Sequence, residues 1–407
     1  MEVLFVHPNF PGQFRKVAAA LARLPGVRVV GVGDESWMKS MVPLEGVPVI
    51  GYPAPPEGDK DQMHPWSRKF DAAVRRGEQV MNALAAHKEE GLEPDVIVTH
   101  PGWGDAYFLR DFFPGTKVVG LFEYYYHARG ADVGFDPEFP SSMNDIFRLR
   151  ALNATQLMAL DACDEGFCPT QWQRSRFPAV WQERLGLMHE GVDTRTVCPD
   201  PTARVQLADG TTLKAGDEVL TFVSRNLEPY RGYHMFMRAL PSILQARPNC
   251  HVVIVGADGA AYGPPCGGGK TYRERYLDEV AEELDMSRVH FTGTLAHADY
   301  VRVLQVSRLH VYLTYPFILS WSMLEAMAAG CLVLGSATPP VEEVIVEGEN
   351  GLLFPFHSPR VLAMRAIDAL AHPGDHDGLR QAARQTIIDR YDFETVSLPA
   401  YKRMIEI

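Results

Sequence analysis

The stretch Thr314-Tyr-Pro-Phe-Ile-Leu-Ser-Trp-Ser-Met-Leu-Glu-Ala-Met-Ala-Ala-Gly330 decides the fold of this chain. It lies between two apolar runs, Leu309 to Leu313 and Cys331 to Leu334, which read as strands. The small and apolar residues ahead of Gly330 read as a helix. A strand, a loop, a helix and a second strand make one step of a parallel sheet. The helix therefore starts beyond the carboxyl end of a strand. Open α/β sheets bind ligands there, and a helix N-terminus offers free N–H groups to an anion. Glu325 is the one acid of the run. An uncharged helix start with a single carboxylate suits a phosphorylated, hydroxyl-bearing ligand.

The same alternation extends in both directions. Downstream of residue 205 the strands are Val219 to Ser224, His251 to Val255, His290 to Thr292, Leu309 to Leu313, Leu332 to Leu334 and Gly351 to Phe354. Upstream they are Val3 to Val6, Val27 to Val32, Val47 to Ile50, Val96 to Thr99, Val118 to Phe122 and Glu165 to Pro169. Helices are predicted over Gln13 to Leu24 and Ser67 to His87. A turn-rich stretch from Glu190 to Gly210 breaks the series. The expected fold is α/β, with two doubly wound, Rossmann-like domains facing a cleft. The first spans 1–195 and the second 196–385. A C-terminal helix, 386–407, is expected to pack back on the first.

The 407 residues comfortably supply two cores. With 46% hydrophobic and 22% charged residues the chain reads as an ordinary globular protein. Its net charge of −12 argues against nucleic acid as the main partner, since phosphate-backbone binding needs a basic footprint. The six cysteines (Cys163, Cys168, Cys198, Cys250, Cys266, Cys331) include no C-x-x-C pair and read as reduced thiols, which favours the cytoplasm. The start, Met1-Glu-Val-Leu-Phe-Val-His-Pro, reads as a strand and not a signal peptide. The basic positions Arg68, Lys69, Arg75 and Arg76 fit a solvated helix face or contact with an anionic membrane surface.

Several strand ends carry candidate site residues, each with a plainer reading beside it. Arg225-Asn-Leu-Glu-Pro-Tyr-Arg231-Gly232 follows a strand, and two guanidiniums there suit a diphosphate. Two solvated loop arginines are the plainer reading. Glu325 fits a carboxylate accepting from ribose hydroxyls. It equally fits a capping box with Ser322. Gly12, in Phe10-Pro-Gly-Gln-Phe-Arg15, either lets a ligand approach the backbone or serves a plain turn. His100 ends one strand, and Glu123 and His127 flank Tyr124, Tyr125 and Tyr126 after the next. Such groups at adjacent strand ends suit acid/base or substrate-binding roles. Gly263-Pro-Pro-Cys-Gly-Gly-Gly-Lys270-Thr271 fails the phosphate-loop spacing at Pro264 and reads as a surface loop.

In this order these motifs resemble the family 4 glycosyltransferases, which have the GT-B fold and retain anomeric configuration. Arg225 to Gly232 resembles the family's G-R-L-x-x-x-K-G loop, and Leu324-Glu-Ala-Met-Ala-Ala-Gly330 follows as the family has it. Val253-Ile-Val-Gly256, Val289-His-Phe-Thr-Gly293, Val341-Glu-Glu343-Val-Ile and Glu349-Asn-Gly351-Leu-Leu continue the series. Glu190-Gly-Val-Asp193 is similar to its domain-joining N-G-V-D.

The resemblance implies transfer of a sugar from a nucleotide-diphosphate sugar to an acceptor hydroxyl, in glycan or glycoconjugate biosynthesis, without metal or other cofactor. It implies that Arg225 and Arg231 hold the diphosphate and stabilise its departure. Glu325 would bind the ribose, and Leu319, Ser320, Trp321 and Ser322 would surround the helix start on the phosphate side. Phe291 and Gly293 would face the base, with Gly12 beneath the phosphates. His100, Glu123, Tyr124 and His127 would line the acceptor side, His100 and Glu123 among the reacting groups. The acceptor, a glycan, a lipid-linked sugar or a small molecule, is left open, as are oligomeric state and peripheral contact at the inner membrane face. Two departures stand out. The first Glu of the family's E-x7-E falls at Phe317, and the glycines after it fall at Ile318 and Ser320. The loop lysine is Arg231, one residue later than usual. These leave room for an epimerase of the same fold or a non-catalytic nucleotide-sugar-binding protein.

Overall fold

The computed structural model describes every residue except Ser40 and Lys60. The chain forms two compact units. The first comprises Met1–Gly134, Phe139–Gly191 and Phe393–Ile407, and the second Phe135–Glu138 and Val192–Asp392.

The first unit is built on strands β1 (Glu2–Val6), β2 (Arg28–Asp34), β3 (Val49–Tyr52), β4 (Val96–Thr99), β5 (Lys117–Leu121), β6 (Glu165–Cys168) and β7 (Leu185–Leu187). They form one parallel sheet in the order β3-β2-β1-β4-β5-β6-β7. The strands are apolar at successive positions because both faces are covered. Leu4 and Val6 pack on one face with Leu84 and Leu160. Val3 and Phe5 pack on the other with Phe14 and Tyr401. Each such fully buried side chain contributes about 1.5–3 kcal/mol.

Near the start of the second unit lies an antiparallel hairpin, β8 (Arg204–Gln206) and β9 (Thr212–Lys214), which begins within the turn-rich stretch and ends just after it. Its main sheet comprises β10 (Val219–Asn226), β11 (His251–Ala257), β12 (Val289–Gly293), β13 (Leu309–Tyr312), β14 (Leu332–Ser336) and β15 (Leu352–Phe354). The order is β12-β11-β10-β13-β14-β15, all parallel. The helix between β13 and β14 spans Trp321–Ala328, and every residue from Ser322 to Ala328 is buried. That burial explains why the segment carries a single charge: an unpaired ionised group would not be tolerated there.

The C-terminal region differs from the single helix expected over 386–407. A helix over Asp377–Tyr391 completes the second unit. The chain leaves that unit at Asp392, whose carboxylate accepts from the Thr194 hydroxyl at 2.6 Å. A wide turn, Phe393–Ser397, then leads into the helix Leu398–Met404 of the first unit. Phe393, Leu398, Tyr401 and Ile405 are buried in the same cluster as Phe5 and Phe14.

Candidate functional site

In the second sheet the chain reverses direction of growth between β10 and β13, and ligand crevices of doubly wound sheets form outside such a switch point. Arg225 lies at the carboxyl end of β10 and Arg231 in the loop that follows, and they differ sharply. Arg225 is exposed and makes no ion pair or hydrogen bond among the described residues. Arg231 is 5% exposed. Its Nη1 donates to Thr314 Oγ1 and to the Ile318 carbonyl, each at 2.8 Å, and its guanidinium lies over the Tyr262 ring at 5.0 Å. Arg231 thus pins the 314–320 loop from below. Gly232 has φ +67, and a Cβ there would collide with Leu313, the residue after β13.

Glu228, in the same loop, is fully buried. Its carboxylate accepts from the backbone N–H groups of Ala261, Tyr262 and Gly263 at 3.1–3.2 Å. It ties the base of the glycine-rich segment to the β10 loop. Phe317 occupies the first position of the two-glutamate pattern. It packs against Tyr230 and Tyr262, with ring centroids 5.4 and 5.1 Å away.

Glu325 does not cap its own helix. The N-cap is Ser320, whose hydroxyl accepts from the Ser322 N–H at 3.4 Å. Starting the helix two residues ahead of Ser322 moves Glu325 past the third helical position, so the capping box with Ser322 does not form. The Glu325 carboxylate instead meets His297 Nε2 at 3.0 Å and lies beside Tyr300, whose hydroxyl pKa is pushed well up by burial and by that carboxylate. Leu319 is buried, while Trp321 remains 41% exposed at the helix start. Gly293 closes β12 at φ +67 in open space. The Phe291 ring lies beneath the Arg273 guanidinium at 4.3 Å and borders a cavity of about 680 Å³ under the β8–β9 hairpin.

The first sheet has its switch point between β1 and β4. His7 follows β1 and His100 follows β4, and their rings meet edge-on with centroids 5.4 Å apart. His7 Nε2 pairs with Gln13 Oε1 at 2.7 Å, and Gln13 Nε2 donates to Glu123 Oε1 at 2.9 Å. The other carboxylate oxygen lies 3.1 Å from His100 Nε2, an ion-pair distance without good hydrogen-bond alignment. Trp103 stacks on the His100 ring at 4.3 Å. Burial, followed by the neighbouring His100, lowers the His7 pKa to about 3, so the ring is neutral at pH 7. Burial alone would raise the Glu123 pKa, but His100 and the Gln13 hydrogen bond outweigh it, and the carboxyl sits below its ordinary range.

Gly12 belongs to this network for a steric reason. At φ +44 a Cβ would lie 2.5 Å from the His7 ring. The outer members of the expected acceptor group have other partners. The Tyr124 hydroxyl donates to Asp132 at 2.7 Å, and His127 Nε2 meets the Arg176 carbonyl at 2.6 Å. The structure therefore brings His100 and Glu123 together, while Tyr124 and His127 face local partners. Sequence reasoning missed His7, Gln13, Glu228 and His297. His7 had a readable signal, since it follows the first strand just as His100 follows the fourth. Among the described residues no group of three His, Cys, Asp or Glu side chains is placed to hold a metal ion, and no helix is long and apolar enough to cross a membrane.

Two Rossmann-like parallel-sheet units with polar groups at both switch points define a protein of the GT-B architecture. The chain belongs to the family 4 glycosyltransferases. Residues 25–197 match the profile "Glycosyl transferase family 4 group" and residues 207–386 match "Glycosyl transferases group 1". Relatives include the spore coat protein SA of Bacillus subtilis, 25% identical over 55% of this chain and 59% of that protein. The GDP-mannose-dependent α-(1-6)-phosphatidylinositol monomannoside mannosyltransferase of Mycolicibacterium smegmatis is 23% identical over 56% of this chain and 58% of its own length. The match thus spans somewhat more than half the length of these curated relatives. The fold is shared with sucrose-phosphate synthase from Thermosynechococcus elongatus, with TM-score 0.74, 18% identity, and 100% and 98% of the two chains covered. It is also shared with Anabaena HepE, solved with UDP-glucose, with TM-score 0.66, 17% identity and all of both chains covered.

Proposed function

We propose that the protein transfers a sugar from a nucleotide-diphosphate sugar to an acceptor hydroxyl, with retention of anomeric configuration. The observation that carries this reading is the exposed Arg225 guanidinium, free of protein partners among the described residues, at the end of β10 beside the switch point. A guanidinium so placed grips a diphosphate and offsets the charge that builds on it as the glycosidic bond breaks. Arg231 serves by holding the 314–320 loop. Glu325 takes the ribose hydroxyls, with His297 orienting its carboxylate. Phe291 and Gly293 border the base, and Ser320, Trp321 and Ser322 lie on the phosphate side.

In the first unit, His100 and Glu123 form the acceptor-side pair. Glu123 is ionised at neutral pH and can accept from a sugar or acceptor hydroxyl. Gln13 and the neutral His7 fix its orientation. In this scheme the Arg225 guanidinium offsets some of the charge on the leaving diphosphate, the part a metal plays elsewhere. The acceptor is a glycan, a lipid-linked sugar or a small hydroxylated molecule, used in the cytoplasm.

Incubation with UDP-glucose and with GDP-mannose, with released nucleotide diphosphate and product anomers followed by NMR, tests the reaction. An axial anomer from an α-linked donor is the expected product. An inverted product, or an epimerised free donor, would refute retention or transfer. Phe317, packed in aromatic rings where a carboxylate would grip the sugar, favours a second reading as a nucleotide-sugar-binding protein. Donor binding without transfer to any acceptor would select it.

A further inference from the structure

Four residues from the first half of the chain, Phe135–Glu138, belong to the second unit, although Gly134 and Phe139 on either side belong to the first. Their attachment is specific. The Phe135 ring packs against Tyr315 and Phe356 with centroids 5.2 Å away, and against His357 at 4.7 Å. The Glu138 carboxylate receives Arg238 through both oxygens, at 2.7 and 3.2 Å, and the Tyr276 hydroxyl at 3.0 Å. Between them Asp136 is 2% exposed. One of its oxygens meets His234 Nε2 at 2.8 Å and the Tyr315 hydroxyl at 2.7 Å. The other accepts from the Glu138 N–H at 2.9 Å. Burial would raise its pKa, but these hydrogen bonds outweigh burial and hold it at about 2. The carboxylate is charged across the physiological range.

Tyr315 is not a remote partner. It opens the loop that Arg231 pins at Thr314 and Ile318, and its N–H donates to the Tyr230 carbonyl at 3.0 Å. Its ring lies 4.7 Å from that of Tyr230, which in turn meets Phe317. Among the groups that fasten the 314–320 loop are therefore a buried cation, Arg231, at Thr314 and Ile318, and a buried anion, Asp136, at Tyr315.

Resting on the donor reading above, we infer that Asp136 is a positioning residue for the donor loop: through the Tyr315 hydroxyl it fixes the 314–320 segment in the geometry that accepts the nucleotide sugar. A buried carboxylate accepting two charge-assisted or hydroxyl hydrogen bonds holds its partners more rigidly than a neutral group can. The device is built from a piece of chain whose neighbours lie in the other unit. Donor binding is thereby made to depend on a residue outside the sequence region that carries the donor motifs.

The test uses the full chain and three variants, with affinity for UDP-glucose and GDP-mannose measured by calorimetry and donor KM and kcat measured separately. Asp136→Asn removes the charge and keeps the shape. Tyr315→Phe removes the hydroxyl alone and keeps every ring contact. Glu138→Gln loosens the same four-residue segment at Arg238 without touching the loop. Asp136→Asn and Tyr315→Phe are expected to weaken binding of the accepted donor about tenfold, with the loss in donor KM more than in kcat. The double variant should lose little more than either alone, while Glu138→Gln stays within about twofold. Wild-type protein that binds a donor while Tyr315→Phe and Asp136→Asn bind it equally well overturns the positioning role alone. So does a Glu138→Gln variant that loses as much as they do, since the segment would then act only as structure. Wild-type protein that binds neither nucleotide sugar overturns the donor reading and the positioning role with it.

Discussion

The guanidinium of Arg231 donates to the carbonyl of Ile318 at 2.8 Å. That bond divides the labour of two arginines that lie six positions apart in the sequence. Arg231 is buried and hydrogen-bonded to Thr314 and Ile318, while Arg225 is exposed and makes no ion pair or hydrogen bond among the described residues. Replacing Arg231 with Met leaves a buried carbonyl and hydroxyl without their donor and should cost about 2–4 kcal/mol of stability. Arg225→Ala should change stability by no more than about 0.5 kcal/mol. Urea titration of the two variants distinguishes them, and equal losses would contradict the assignment.

Gly12→Ala meets two obstacles at once, a positive φ and a His7 ring in the space a methyl group would fill. A loss of about 1–3 kcal/mol in unfolding free energy is expected. Because His7 orients Gln13, and Gln13 orients Glu123, turnover should fall further than stability explains. A variant as stable and active as wild type would mean that the loop relaxes freely around His7.

Glu325→Gln keeps the helix shape and leaves its cap untouched, since Ser320 caps that helix. The expected result is a melting temperature within a few degrees of wild type and about tenfold weaker donor binding, through loss of a charged acceptor. A large fall in stability with unchanged donor affinity would instead assign Glu325 to packing with His297 and Tyr300.

Acid should destabilise the protein well above the carboxylate range. Burial lowers the pKa of His7, His189 and His310 from 6.5 to about 3 in the folded chain. Between those values the unfolded chain binds protons that the folded chain does not, so stability rises with pH and is lost as pH falls below 6.5. Each group contributes up to about 1.4 kcal/mol per pH unit within that window. Denaturant midpoints measured from pH 7.5 to 4.5 should therefore fall steadily below 6.5, and replacing His310 with Gln should flatten the slope. A flat profile down to pH 4.5 would contradict the neutral burial of these rings.

Much of the fold was legible in the sequence because the strands are buried on both faces and so appear as continuous apolar runs bounded by turn residues. The short elements were not. β7 and the β8–β9 hairpin have three residues per strand, too few for a period to show. At the helix start, Ser320 and Ser322 are equally good caps by residue type, and only the path of the chain after Phe317 decides between them. Arg225 and Arg231 are likewise indistinguishable by type; burial against Tyr262 and the 314–320 loop separates them. Asp136 had no sequence signal at all, since its partners lie 98 and 179 positions away.

The central claim is that the second unit binds a nucleotide sugar through Arg225 and Glu325. Its most direct test is calorimetric titration of UDP-glucose and GDP-mannose into wild type, Arg225→Ala and Glu325→Gln. Saturable binding of at least one donor is expected for wild type, with Arg225→Ala weakened by at least about tenfold at unchanged stability. Binding that survives Arg225→Ala undiminished, or wild-type protein that binds neither donor, would contradict the account.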